Sequence, residues 1–374
     1  MVFDFFNGRP REPILEHRRR VRYQVLVRVR IRDAHNPLDV SVEAFVELFR
    51  MPQDIFMELV DLLAPLMRGR RATCTSIPIY MRILVTLSYY ASGSYQENLG
   101  TASFHTMSQA SVSYAIEEVT AALNHPQVLT RFIRFPSTHA ERVAKIERNS
   151  HLGLPGVLGL IDGTIVRITH PPKPHQHYYS RKHSPALNVM IVCDVDLNIL
   201  NVNARFPGSA HDSWVYRCSP LDEVMQAAFQ EDQCWLLGDS GYPHRPWLMT
   251  PLANPQEPGT PGAAYNKLHS KCRNHVERCN GVLKARWRCM SNDLALPYRP
   301  EKCGQIINAC VVLHNILTSK RLPPPAEDQP FQVQPEPDDL VEPGENDDLP
   351  VEVLRNADAV RDNLIQPAYW YLNR

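Results

Sequence analysis

Three acids carry the chemistry open to this chain. Two lie in matching contexts, Leu158-Gly-Leu-Ile-Asp162-Gly-Thr and Trp235-Leu-Leu-Gly-Asp239-Ser-Gly-Tyr. Each reads as an apolar strand that ends in an aspartate and a glycine turn. An Asp before Gly is also an ordinary turn former. A carboxylate at the end of a buried strand is costly without a partner, however, and two of them suggest a shared cation. Oxygen ligands favour Mg²⁺ or Mn²⁺. A third acid lies in a basic helical stretch, Arg273-Asn-His-Val-Glu277-Arg-Cys-Asn-Gly-Val-Leu-Lys284. Two strand-end aspartates and a helix glutamate form the set that two-metal phosphodiester hydrolysis requires. Asp162, Asp239 and Glu277 are therefore the expected catalytic and metal-binding residues, with a divalent cation as cofactor.

The elements that must position these acids follow from periodicity. From 155 to 318 the pattern is that of a mixed sheet with helices. Val157 to Ile161 is an apolar strand, and Ile165 to Ile168 continues past the turn. Leu187 to Val195 and Ile199 to Phe206 flank Asp196-Leu-Asn198 as a hairpin. Asp194 and Asp196 are read there as turn residues. Asp212 to Gln226 reads as a helix, Cys234 to Leu237 as a buried strand and 251–262 as a Pro/Gly-rich loop. A basic helix follows over 266–288, with Val276, Cys279, Leu283 and Trp287 on its apolar stripe. Ile306 to Leu317 is a last core helix. Three strands in a meander, a helix, a fourth strand and a later helix give the order of a ribonuclease-H-like α/β fold. There the fourth strand lies beside the first, which makes Asp162 and Asp239 neighbours.

Five regions are expected: a basic arm over 1–40, a helical domain over 41–150, the ribonuclease-H-like domain over 151–320, an acidic linker over 321–350 and a C-terminal helix over 351–374. In the arm, Val25-Leu-Val-Arg-Val-Arg-Ile-Arg32 alternates as a strand would, with arginines on one face. With 18–22 it could serve nuclear import or phosphate contact, or be a plain solvated face. In the helical domain, 95–102 followed by Ser108 to Leu123 resembles a helix-turn-helix, with Ser108 as N-cap. Ordinary bundle packing gives the same pattern, and the exposed face carries no Arg or Lys. His170, His175, His177 and His183 share one basic loop. Zinc is disfavoured because Cys272, Cys279 and Cys289 supply no CxxC pair; phosphate contact suits the loop better.

Composition sets the outer limits. The 374 residues allow two or three domains, and 44% hydrophobic content is ordinary for a globular chain. No secretory leader is expected at 1–10, and no apolar run approaches a membrane span. Nine scattered cysteines suit reduced thiols in cytoplasm or nucleus. The formal charge of zero hides an asymmetry, because 322–350 holds nine acids, eight prolines and no Lys or Arg. The remainder has 31 acids against 40 bases, a body of +9 suited to nucleic acid. Lys284, Arg286 and Arg288, close to Glu277, are the expected DNA contacts.

At these residues the chain resembles the PIF/Harbinger transposases and, more closely, the Harbinger transposase-derived nucleases. The resemblance covers roughly 45–320 in eight ordered blocks. They are Gly-Leu-Ile-Asp162-Gly-Thr, Tyr179-Ser-Arg-Lys182, Leu187-Asn with Cys193-Asp194, and Phe206-Pro-Gly-Ser-Ala-His211-Asp212. Then come Leu237-Gly-Asp239-Ser-Gly-Tyr, Trp247-Leu-Met-Thr-Pro251, Val276-Glu277-Arg with Leu283-Lys-Ala-Arg-Trp-Arg-Cys289, and Ala309-Cys-Val-Val-Leu-His-Asn315. The resemblance puts the family's catalytic acids on Asp162, Asp239 and Glu277, and Asp212 on a further metal ligand. A helix N-cap is the plainer role for Asp212. The chain departs from the pattern at Ile165, where relatives carry a polar residue, and over 181–185. The resemblance implies a DDE-type nuclease acting on DNA, found in nucleus and cytoplasm. It also implies a separate Myb-like partner protein that supplies sequence-specific binding, and it allows a homo-oligomer. The competing readings are a domesticated module that binds DNA or protein without cutting, and an RNA hydrolase of ribonuclease-H type.

Overall fold

The computed structural model describes residues 14–34, 36–67, 76–94, 96, 106–169, 171, 173, 175–180, 184–253, 256–324 and 351–372. The chain forms two compact units, Met1–Ala122 and Leu123–Arg374. The first is helical throughout its described residues. Its α1 spans Ile14–Ala34, so 25–32 is helix and not the strand that its alternation suggests. Alternation stabilises a strand only beside another strand, and the described part of this unit holds none. A helix satisfies its own N–H and C=O groups.

Helix α2 (Val42–Phe49) starts at Ser41, whose hydroxyl accepts from Ala44 N–H at 3.2 Å. It packs with α3 (Gln53–Leu63) through Phe45, which lies 4.7 Å from Phe49 and 5.7 Å from Phe56 between ring centroids. Helix α4 (Ile79–Ser92) meets α5 (Gln109–Leu123) through a buried Arg82–Glu118 ion pair and a 2.8 Å Tyr90–Thr120 hydrogen bond. Ser108 caps α5, accepting from Ser111 N–H at 3.2 Å, and the predicted stripe Val112, Ala115, Ile116, Val119 and Leu123 is buried. Of 95–102, the first helix of the helix-turn-helix reading, all but Gln96 lies outside the described residues.

The second unit is built on a five-stranded sheet in the order β3-β2-β1-β4-β5. Strand β1 (Val157–Arg167) runs antiparallel to β2 (Ala186–Cys193), which pairs with β3 (Ile199–Pro207). All eight residues of β2 are buried, as befits a strand covered on both faces. Asp194 makes the β2–β3 turn as predicted, accepting from Asp196 N–H at 2.9 Å and Asn198 N–H at 3.0 Å. Strand β4 (Trp235–Leu237) lies parallel to β1, and a two-residue β5 (Leu248–Met249) completes the edge. This is the ribonuclease-H-like arrangement, a mixed sheet flanked by helices.

Helices α6 (Pro126–Phe132) and α7 (His139–Asn149) belong to this unit, and Thr138 and Glu141 form a capping box that starts α7. Predicted as one helix, 212–226 is two, α8 (Asp212–Arg217) and α9 (Leu221–Asp232). Pro220 cannot continue a helix and takes the cap position of the new one, while the Ser219 hydroxyl accepts from Leu221 N–H at 3.2 Å across the break. Helix α10 (Pro261–Arg286) crosses the sheet and α11 (Pro300–Ser319) is buried along most of its length.

Helix α12 (Val351–Leu372) packs along α10. Ala357, Leu364 and Ala368 are its buried face, and Tyr371 donates to His151 O at 2.8 Å. A Cβ on Gly153 would overlap the Tyr371 ring, and φ of 84° there also demands glycine. The docking predicts that Leu364→Ala destabilises the second unit by ~2–4 kcal/mol, read as a fall in its denaturation midpoint. An unchanged midpoint would mean that α12 does not hold to α10 in solution.

Candidate active site

The pairing register brings the two aspartates together. Parallel pairing of β1 with β4 ends at Leu160 opposite Leu237. Asp162 and Asp239 each lie two residues beyond that last pair, so both carboxylates project into the gap that opens where β4 stops. Asp239 begins a turn as predicted, accepting from Gly241 N–H at 3.0 Å. Asp162 does not. It sits mid-strand, paired with Ile191, and β1 runs on through Gly163 to Arg167. Gly163 is there because the Asp212 carboxylate occupies the space that a Cβ would need.

Glu277 comes from the middle of α10, whose Thr260 cap, Pro261 at the first turn and buried Leu268, Cys272, Val276, Cys279 and Leu283 fix it against the sheet. The same helix supplies Arg273 four residues before Glu277 and Asn280 three after, which helical spacing puts on one face. Arg273 Nη2 lies 3.3 Å from Asp162 Oδ1, 3.8 Å from Asp239 Oδ2 and 3.7 Å from Glu277 Oε1. The three predicted acids thus converge on one guanidinium nitrogen. Asn280 Nδ2 donates to Asp162 Oδ2 at 2.9 Å. Burial pushes the Asp162 carboxyl up to about 7, an effect that Arg273 opposes and that Asp239, Asp212 and Glu277 reinforce. Arg273 and Asn280 escaped the sequence analysis, although their spacing from Glu277 was the signal that could have found them.

Asp212 is the first residue of α8 and not its cap; the cap position is His211. Its Oδ1 accepts from Asn188 Nδ2 at 2.6 Å. By strand alternation Gly163, which Asp212 abuts, faces away from Asp162. Asp212 thus lies across the β1 backbone from Asp162, close enough for its charge to raise the Asp162 carboxyl. Among the described residues, no three His, Cys, Asp or Glu side chains stand in a ready metal-binding arrangement. The donor set fits a hard divalent ion all the same: carboxylate oxygens surround a point where a positive charge already sits.

The three expected DNA contacts separate. Arg288 is exposed just past the end of α10. Lys284 is half-buried, donating to Ile165 O and Asn292 Oδ1 at 2.9 Å each. Arg286 is a correction. It is buried, and its Nη1 donates to Thr318 Oγ1 at 2.9 Å while Nη2 donates to Leu322 O. Its position seven residues after Cys279 puts it on the stripe side of the helix, where it closes the C-terminus of α11. In the histidine loop, His170, His183 and the side chain of His175 lie outside the described residues, and His177 is exposed.

Behind the site, His269 on α10 is buried and bonds Met249 O on β5 through Nε2 at 3.2 Å. Burial, aided by Arg273, lowers its pKa to about 4. The folded form is therefore neutral where an unfolded chain takes up a proton, so its contribution is complete above the ordinary value near ~6.5. It is lost as pH falls from there toward 4. Up to ~3 kcal/mol is at stake. Denaturation midpoints between pH 4.5 and 7.5 should fall less steeply for His269→Gln than for the parent. Parallel profiles would mean that the histidine is protonated in the fold.

Residues 161–315, a span holding all four acids, match the DDE superfamily endonuclease family. Endonucleases of this superfamily generally use divalent metal ions. HARBI1 of Homo sapiens, named as a candidate nuclease, is 36% identical over 280 residues, 74% of this chain and 78% of its own. HARBI1 of Mus musculus is 34% identical over 332 residues, covering 87% of this chain and 90% of the relative. The ALP1-like protein of Arabidopsis thaliana is 26% identical over 268 residues, 68% of this chain and 63% of that one. No solved structure matches. Sheet order, converging acids and these likenesses agree: the chain belongs to the Harbinger transposase-derived nucleases of the DDE endonuclease superfamily.

Proposed function

We propose that the protein hydrolyses DNA phosphodiester bonds, with Asp162, Asp239 and Glu277 as its catalytic acids. The observation that carries this reading is the meeting of the three carboxylates within 4 Å of Arg273 Nη2. The same acids, with Asp212 against Gly163, would hold two divalent cations, Mg²⁺ or Mn²⁺. Bound there, the ions would supply an activated water for attack on phosphorus and charge to steady the departing 3′ oxygen. The chain's own part is orientation. Asn280 fixes one oxygen of Asp162, Gly241 N–H fixes Asp239, and Lys284 ties the Ile165 carbonyl of β1 to the loop at Asn292. Side-chain exposures of 15% for Asp162, 29% for Asp239 and 32% for Glu277 leave the cluster open on one side to a scissile phosphate. Water adds to phosphorus as the P–O3′ bond breaks, and no covalent enzyme intermediate forms.

The DNA contacts of this reading are Arg288 and, in part, Lys284. Target choice and nuclear entry fall to a Myb-like partner protein, and the protein is shared between nucleus and cytoplasm. No described helix is long and apolar enough to cross a membrane. A module that binds without cutting has one observation in its favour, the arginine already seated among the acids. Nuclease assays on duplex DNA with Mg²⁺ or Mn²⁺, with and without the partner, decide between them. Cleavage that chelation abolishes supports the nuclease; binding without cutting in every arm supports the module.

A further inference from the structure

We infer that Arg273 is a placeholder cation that holds the acid cluster together before metal arrives and competes with metal for it. It thereby sets the concentration at which the site loads. Arginines of the same unit differ in how they use their nitrogens. Arg142, which ties α7 to α9, spends its nitrogens in the way a structural arginine does. Its Nε bonds Asp232, its Nη2 bonds Glu231, and its Nη1 donates to Ser137 O at 3.0 Å. Arg286 likewise divides its nitrogens among several acceptors.

Arg273 does neither. One nitrogen, Nη2, faces three carboxylates, and only the 3.3 Å approach to Asp162 is a hydrogen bond. Its Nε is buried with no hydrogen-bond partner. A guanidinium is built for planar, two-pronged pairing with a carboxylate, and none of that is used here. What remains is charge neutralisation at one point, the task that a divalent ion performs better. Arg273 also has a way out, because its side chain is 19% exposed and hangs from the same helix as Glu277. A site that must first release an internal cation binds an external one with reduced apparent affinity, by the fraction of molecules already released.

The inference rests on the metal reading of the acids, and calorimetric titration of the full chain with Mn²⁺ separates the two. Arg273→Gln should bind Mn²⁺ about 10-fold more tightly than the parent. Its melting temperature should be lower without metal and rise further with it. Arg273→Lys, which keeps a positive charge at the same helix position, should stay near the parent in both. Asp239→Asn serves as the control that loses binding. A parent that binds no Mn²⁺ sinks the metal reading itself. A parent that binds, beside a folded Arg273→Gln that binds equally or more weakly, sinks only the placeholder. If Arg273→Gln stays unfolded at saturating Mn²⁺, the arginine is a structural strut and the inference fails.

Discussion

Asp239→Asn is expected to reduce metal-dependent DNA cleavage by at least ~10³-fold while leaving the unliganded fold as stable as the parent or more so. The two halves of that expectation have different causes. For the fold, Asp239 Oδ1 accepts from Gly241 N–H at 3.0 Å, and an asparagine oxygen can keep that bond. The other thing lost is a 3.8 Å approach to Arg273, which still has Asp162 and Glu277 to face. Removing one negative charge also relieves the crowding that raises Asp162. For the chemistry, a neutral amide would hold the proposed divalent ions less well than a carboxylate, so the rise in melting temperature on adding Mg²⁺ or Mn²⁺ should shrink along with the cleavage. A variant that unfolds without metal would show Asp239 to be a structural aspartate of the β4 turn. A variant that cuts at the parental rate would remove it from the reaction.

The adjacency of Asp162 and Asp239 was legible because apolar runs mark buried strands and few sheet orders fit a meander, a helix and a fourth strand. The local context of Asp162 was not. Asp-Gly is a turn signal in the chain itself, yet β1 passes straight through Gly163. The glycine answers to Asp212, which is 49 residues away in sequence and visible only in three dimensions. The start of α10 departs from its sequence pattern for the opposite reason. Thr260-Pro261 is a cap and first-turn pair, but the Pro/Gly content around it reads as loop. At 25–32 alternation pointed to a strand that has no described partner in its unit, and helix won. The helix face around an acid carries as much of this site as the acid does. Positions four before and three after Glu277 hold the residues that neutralise and orient Asp162.

Position on the helix face also decides what the basic end of α10 does. Lys284, Arg286 and Arg288 look equivalent as charges near Glu277, but their substitutions should have three different outcomes. Arg286→Ala should destabilise the fold by ~2–4 kcal/mol, because it opens a cavity and strips a donor from buried carbonyls at the end of α11. Its affinity for DNA at temperatures where it stays folded should match the parent. Arg288→Ala should leave stability within ~0.5 kcal/mol, because its side chain is exposed in the short turn that follows α10. It should weaken binding to unrelated duplexes equally and lower the slope of log K against log salt by ~1. Lys284→Ala should show some of both, because its amino group fastens the Ile165 carbonyl three residues past Asp162. Salt titrations of DNA affinity, paired with denaturation midpoints for each variant, separate these outcomes. If Arg286→Ala proved fully stable but lost DNA affinity, the guanidinium would have to swing out of the core on binding. If Arg288→Ala left the salt slope unchanged, the duplex would have to approach the acids from another face of the sheet.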